Sequence, residues 1–209
     1  MGTVPSPPRV TGHCGCGTWG AAKKFVRSKA VTAVAVTHDG HCAVSASYDR
    51  ALRVWNLEGG QTVCPLEGHT GFVSAVAVTP DGQRAVSAST DRTLRVWNLE
   101  SGQLVRTLEG HNALVFAVAV TPDGHRAVSA SYDRTLRMWD LESGEEIMAF
   151  SGESHMFRCA FAPDGRTIIA GDELGRVHFL RLVEADKTKP PTGDKDPVSA
   201  ASGASRVSA

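Results

Sequence analysis

Aromatic side chains are scarce in this chain, 6% of the residues against 42% hydrophobic overall. A packed core must therefore be built mainly from Val, Ala and Leu. Charge of one sign is also lacking, with Lys plus Arg and Asp plus Glu at 22 each. A net charge of zero leaves no field to draw nucleic acid or an acidic membrane. Lysine is scarce outside the two ends, and aromatics do not interleave with the arginines as a single-stranded nucleic-acid groove requires. No apolar run is long enough to cross a bilayer. The opening MGTVPSPPRV is rich in proline and has no apolar h-region, so no secretory signal is read there. The five cysteines are odd in number and read, without such a signal, as reduced thiols of a cytoplasmic protein. No Gly-x4-Gly-Lys-Ser/Thr loop is present to cradle nucleotide phosphates.

What is abundant is repetition. HTGFVSAVAVTPDGQRAVSASTDRTLRVWNLESGQLVRTLEG (residues 69–110) is followed by HNALVFAVAVTPDGHRAVSASYDRTLRMWDLESGEEIMAFSG (residues 111–152), most positions being identical at a period of 42. A third copy lies upstream over residues 31–68, and a degenerate fourth, one residue short, over residues 153–183. Asp49, Asp91 and Asp133 fall on one grid, and Trp55, Trp97 and Trp139 on another. A fixed period of about 40–45 residues with strand-like segments between turns is the signature of a propeller blade.

Each copy predicts four short strands. VSAVAV is apolar on both faces, as a strand near a propeller axis would be. Pro80-Asp81-Gly82 is a turn, RAVSAS the second strand, and TLRVWNL a third in which Leu94 and Val96 alternate with Arg95 and Trp97. QLVRTLEG is the outer strand. The expected fold is all-β, with four-stranded antiparallel blades, three full repeats plus one degenerate repeat, and an incomplete ring. Only residues 21–28 offer a strand to complete the fourth blade, and their alternation is poor. Residues 1–30 are expected to be poorly ordered. The polar tail over residues 184–209 is expected to be disordered.

The Gly-His dipeptides, the Asp six residues before a Trp, and the terminal Trp-Asn or Trp-Asp pairs resemble a WD-repeat propeller over roughly residues 31–183. The end of the array, GDELGRVHFLRL, resembles the last unit of long bacterial WD-repeat arrays that follow a nucleotide-switch domain. The resemblance implies a hydrogen-bonded tetrad in each blade. One would comprise His69, Ser87 or Ser89, Asp91 and Trp97, and the next His111, Ser129 or Ser131, Asp133 and Trp139. The first copy keeps Asp49 and Trp55 but has Arg27 where the grid places histidine. The fourth has Glu153, Leu174 and Leu180 at the His, Asp and Trp positions, which predicts an apolar, cap-like end.

The Asp-His-Ser sets could be read as catalytic triads, but active sites do not recur every 42 residues and structural clamps do. No catalytic residues and no cofactor are expected. His13, Cys14 and Cys16 cluster without the further ligands that a tetrahedral metal site needs, so no metal is assigned. Arg92, Arg95, Arg134 and Arg137, with carboxylates such as Glu100, Glu109 and Glu142, read as a solvated, salt-bridged surface. Positions that differ between near-identical copies fall on two turns: Tyr48, Thr90 and Tyr132 before the tetrad Asp, and Phe72, Ser74, Leu114 and Phe116 at the first strand. The resemblance places both on one rim, where aromatics suit protein hot spots; duplication drift is the competing account. The expected function is a non-catalytic scaffold binding protein partners through this rim, with self-association through unpaired blade edges. The alternatives are the regulatory end of a split nucleotide-switch protein, a truncated fragment, or a metal-binding protein.

Overall fold

The computed structural model describes residues 30–183. The expectations for residues 1–29 and 184–209, including those for His13, Cys14, Cys16, Arg27 and the strand at 21–28, lie outside these. The described residues are all-β, in four antiparallel sheets. The first is β1 (Val31–Val36), β2 (Cys42–Ser47), β3 (Leu52–Asn56) and β4 (Gln61–Leu66). The second is β5 (Val73–Val78), β6 (Arg84–Ser89), β7 (Leu94–Asn98) and β8 (Leu104–Leu108). The third is β9 (Val115–Val120), β10 (Arg126–Ser131), β11 (Thr135–Asp140) and β12 (Glu146–Ser151). The fourth has three strands among the described residues: β13 (Met156–Phe161), β14 (Thr167–Asp172) and β15 (Val177–Arg181). Strand order follows chain order in every sheet.

Local chemistry explains the hairpins. The Thr79 hydroxyl donates to Asp81 Oδ1 at 2.5 Å and accepts the Arg84 amide at 3.0 Å, so one side chain closes the turn between β5 and β6. Gly82 supplies the positive φ of 71° that the turn needs. Thr37 with Asp39 and Thr121 with Asp123 repeat the device.

The sheets pack face to face as blades. The front of the first blade (Val44, Ala46, Leu52, Val54, Leu66) is buried against the back of the second (Val73, Val76, Ala85, Trp97, Leu99). The front of the second (Val86, Ala88, Leu94, Val96, Leu108) meets the back of the third (Val115, Val118, Ala127, Trp139, Leu141). The third presents Val128, Ala130, Leu136 and Met138 to Met156, Ile168 and Ala170 of the fourth. Small Ala and Val side chains let the inner strands approach closely, which is how a chain with few aromatics fills its core. Trp97 and Trp139 are buried on the face opposite Leu94 with Val96 and Leu136 with Met138, so the alternation of the third strand holds while both faces of a middle blade are covered.

Each inner strand carries one bulge where it pairs with the second strand. The bulge leaves Thr32, Ser74, Phe116 and Phe157 unpaired and turns them toward the neighbouring blade. The Thr32 hydroxyl donates to the Val73 carbonyl at 2.5 Å, and that of Ser74 to the Val115 carbonyl. In the third junction Phe116 and Phe157 replace this bond with an edge contact, their centroids 5.1 Å apart. Inner strands pack β1 to β5, β5 to β9 and β9 to β13, and among the described residues the array does not close on itself.

The fourth blade corrects one expectation. Leu174 does not pack as a cap; it is 68% exposed. The missing residue lies in the connection before β13, so the blade keeps its register: Leu174 holds the place of Asp91 and Asp133, and Asp172 stands where the other blades have Ser47, Ser89 and Ser131. Leu180, by contrast, does pack against the third junction. Leu174→Ala is therefore expected to change stability by no more than about 0.5 kcal/mol. Met156→Ala, at a fully buried site, is expected to cost about 2–5 kcal/mol. Thermal melts of the two variants check the contrast.

Candidate functional site

The histidine of each middle blade lies not within a strand but on the connection that enters the blade. His69 follows β4, and His111 follows β8. Gly68 and Gly110 precede them with φ of 149° and 156°. A Cβ at Gly68 would lie 2.2 Å from Arg95 Nη1, and one at Gly110 3.1 Å from the Trp139 ring. The Gly-His dipeptide thus lets the backbone pass close under a side chain and then turn inward.

From there one chain of donors crosses the blade. Trp97 Nε1 donates to Ser87 Oγ at 2.8 Å, Ser87 Oγ donates to His69 Nε2 at 2.7 Å, and His69 Nδ1 donates to Asp91 Oδ2 at 2.8 Å. This order of donors and this tautomer leave no group unsatisfied. The Asp91 carboxylate also accepts the Thr70 amide at 3.0 Å and the Thr93 hydroxyl at 2.7 Å. The third blade repeats the set with Trp139 to Ser129 at 2.9 Å, Ser129 to His111 at 2.7 Å and His111 to Asp133 at 2.7 Å. Of the two serines open in each blade, Ser87 and Ser129 join the chain. Ser89 and Ser131 instead accept the amides of Asp91 and Asp133 at the turn.

A Ser–His–Asp series in this order resembles a hydrolytic triad, yet Ser87 and Ser129 are 0% exposed. Each hydroxyl also accepts an indole N–H, so no substrate carbonyl can approach. Burial acts against the Asp91 and Asp133 carboxylates, but the bonds from their histidines and threonines outweigh it. Asp91 is held well below the ordinary range and Asp133 is drawn down to about 2. Burial lowers the pKa of His111 against the pull of Asp133, so the ring is held neutral beside an ionised carboxylate.

The outer blades fill the same place differently. In the first, Trp55 Nε1 donates to Ser45 at 2.8 Å, and Arg53 Nη2 pairs with Asp49 at 2.8 Å. In the fourth, Asp172 accepts Arg176 Nε at 2.9 Å and His178 Nε2 at 3.0 Å, while Arg176 Nη1 reaches Glu153 at 2.7 Å. Hydrogen bonds from His178 and Arg176 draw the Asp172 carboxyl down to about 2 against its burial. Arg53, Asp172 and His178 were not singled out from the sequence. The shared register of Arg53 with Arg95 and Arg137 was the available signal. Of the repeated arginines, Arg137 pairs with Glu146 and Arg84 reaches Glu142 of the next blade at 3.3 Å. The Arg95 Nε is buried without a partner.

The variable turns lie together at one end of the array. Thr90 and Tyr132 donate their amides to the carbonyls of Phe72 and Leu114 at 2.9 Å each. Tyr48 meets Phe72 of the next blade edge-on, centroids 5.1 Å apart. Tyr132 stacks on His155 of the fourth blade at 3.5 Å, a partner the sequence reading missed. Tyr48, Phe72, Leu114 and Tyr132 are exposed. Ser74 and Phe116 are half-buried bulge residues occupied between blades, which removes them from the exposed rim. Cys42, Cys64 and Cys159 are free thiols, the last pushed up to about 12 by burial. Among the described residues no helix is long and apolar enough to cross a membrane.

The WD40 family profile (WD domain, G-beta repeat) matches residues 23–56, 60–98 and 102–140, more than half of the chain. Each matched unit ends on the Trp-Asn or Trp-Asp pair, so the sequence repeat runs from one blade's outer strand through the next blade's third. Two curated relatives, each a small ribosomal subunit protein RACK1, come from Trypanosoma brucei brucei and Trypanosoma brucei rhodesiense. Both are 39% identical to this chain over 59 residues, 27% of this chain and 18% of the relative's length.

Removing one member of the buried series leaves its neighbours unpaired, so Asp91→Ala is expected to cost about 1–3 kcal/mol in denaturant unfolding. The pH dependence has two parts. The lowered His111 pKa means that the unfolded chain takes up the proton first, so stability falls as pH drops below about 6.5. The depressed Asp133 pKa adds stability that is complete above about 3.9 and is lost as pH falls toward about 2. Asp133→Asn is expected to flatten the second loss, read from melts across that range.

Proposed function

The chain belongs to the WD40-repeat family, and from that premise we propose that it is a non-catalytic scaffold that binds protein partners through the exposed rim of its blades. The observation that carries this reading is the row of junction pairs at one end of the array. Tyr48 beside Phe72 and Tyr132 beside His155 occupy equivalent places at the first and third blade junctions. Thr90 and Leu114 hold the same register at the second. The buried series behind the Thr90 and Tyr132 turns, and the Arg53–Asp49 pair behind that of Tyr48, fix the backbone, which lowers the ordering cost of binding. Exposed rings on a rigid support are the residues that carry interface energy elsewhere.

Zero net charge and the exposed apolar rings favour a protein segment with its own apolar anchors over a polyanion. The relatives are named as ribosomal proteins, but the shared stretch is little more than one repeat of 42 residues. Likeness of that length carries the blade rather than its partner. The proposed division of the chain remains a repeat region over residues 31–183 between two segments of different composition. A cytoplasmic location accords with free thiols but rests on this same reading.

The rim can be tested with paired substitutions. Tyr48→Ala with Phe72→Ala, and Leu114→Ala with Tyr132→Ala, are expected to weaken capture of an identified partner by about 2 kcal/mol or more. Glu100→Ala with Glu142→Ala, on the opposite turns, is expected to leave binding intact. Calorimetric titration with the partner, alongside thermal melts, checks this. Equal affinity for all three double variants would attribute the variable positions to drift.

A further inference from the structure

We propose that two copies of this chain associate head to tail, each end blade of one docking on the opposite end blade of the other, to close a ring of eight blades. The three junctions inside the chain are built from one front face and one back face, repeated. Among the described residues the array ends with one of each uncovered. On the first blade, Val31, Val34 and Val36 occupy the back-face places that Val73, Val76 and Val78 fill at the first junction. There they are exposed, Val34 at 61%. On the fourth blade, Ile169, Val177 and Phe179 hold the front-face places of Val86, Leu94 and Val96. Val177 is exposed and Phe179 is 71% exposed.

One chain thus carries both halves of a contact it makes three times internally, and neither half is covered by any of the described residues. The occupant that fits the open back face is a front face of the same construction, which a second copy supplies. A contact of this head-to-tail kind either closes or grows without limit. Two units of four blades sum to eight, within the range at which propellers close. The front end departs in one place: Arg158 stands where the other blades have Ala33, Ala75 and Ala117. Its stem can lie along the apolar face with the guanidinium directed to the rim, and Gly171 beside it, in place of Ala88, gives it room. This association uses the blade faces and leaves the rim open, so it stands or falls apart from the reading of the rim.

Light scattering across a dilution series of the full chain tests it. The expected mass is twice that of the chain. Val34→Asp and Phe179→Asp are each expected to be monomers that keep a cooperative melt, now independent of concentration, since both side chains are exposed. An equimolar mixture of the two is expected to dimerise again at higher concentration than the wild type, because the good front of one variant still meets the good back of the other at one of the two junctions. Val177→Asp stands in for the front face should Phe179→Asp lose the cooperative melt. A wild-type chain that stays monomeric at every concentration overturns the proposal. So does a dimer indifferent to either variant, a mixture that remains monomeric, or growth beyond the dimer.

Discussion

The rest of the structure depends on a hydrogen-bonded chain that runs from an indole, through a buried hydroxyl and an imidazole, to a carboxylate. Its position matters more than its strength. The histidine belongs to the connection leaving the previous blade, while the tryptophan, serine and aspartate belong to the blade being entered. His69 therefore staples the end of β4 to the turn between β6 and β7, and His111 does the same one blade later. The aspartate fixes the turn, and the turn fixes the rim residue before it. Each net bond contributes modestly, but every member is dry, so loss of one exposes the others to the full desolvation penalty.

Around these staples the packing is monotonous by design of the repeat. Alanine and valine on the inner strands allow close approach, leucine and, at the first two junctions, tryptophan fill the outer part, and the bulge residue ties neighbouring inner strands together. Where the hydroxyl is lost at Phe116 and Phe157, ring packing takes its place. Variation is tolerated at the junction when contact between neighbouring inner strands is kept, and at the staple when a carboxylate keeps a nitrogen donor as partner. Arg53 with Asp49 and His178 with Asp172 are two solutions to one vacancy in the register.

The period made the blades, their strands and the members of the middle tetrads legible, because identical spacing forces identical contacts. Choosing Ser87 over Ser89 was not legible: both are inward residues of one strand, and only the reach of the indole separates them. The fourth blade was misread at Leu174 because the grid gave its place correctly but not its surroundings: the turn faces solvent, and the carboxylate of this blade comes from Asp172, at the preceding inward position of the strand. Ser74 and Phe116 read as free rim residues because alternation alone does not reveal a bulge. The bulge turns both toward the adjoining blade. His155 was invisible for a simpler reason, since its partner Tyr132 lies in the preceding copy and the pairing crosses a repeat boundary.

That boundary has a consequence for how the molecule breathes. The unit that repeats in sequence, an outer strand followed by the next three inner ones, straddles two sheets, and the staple sits inside it. Opening one sheet alone would require breaking the staple that its outer strand shares with the following blade. The cooperative element of local unfolding is then the straddling unit, and slow-exchanging amides should group by sequence repeat, with β4 protected alongside β5 to β7 rather than with β1 to β3.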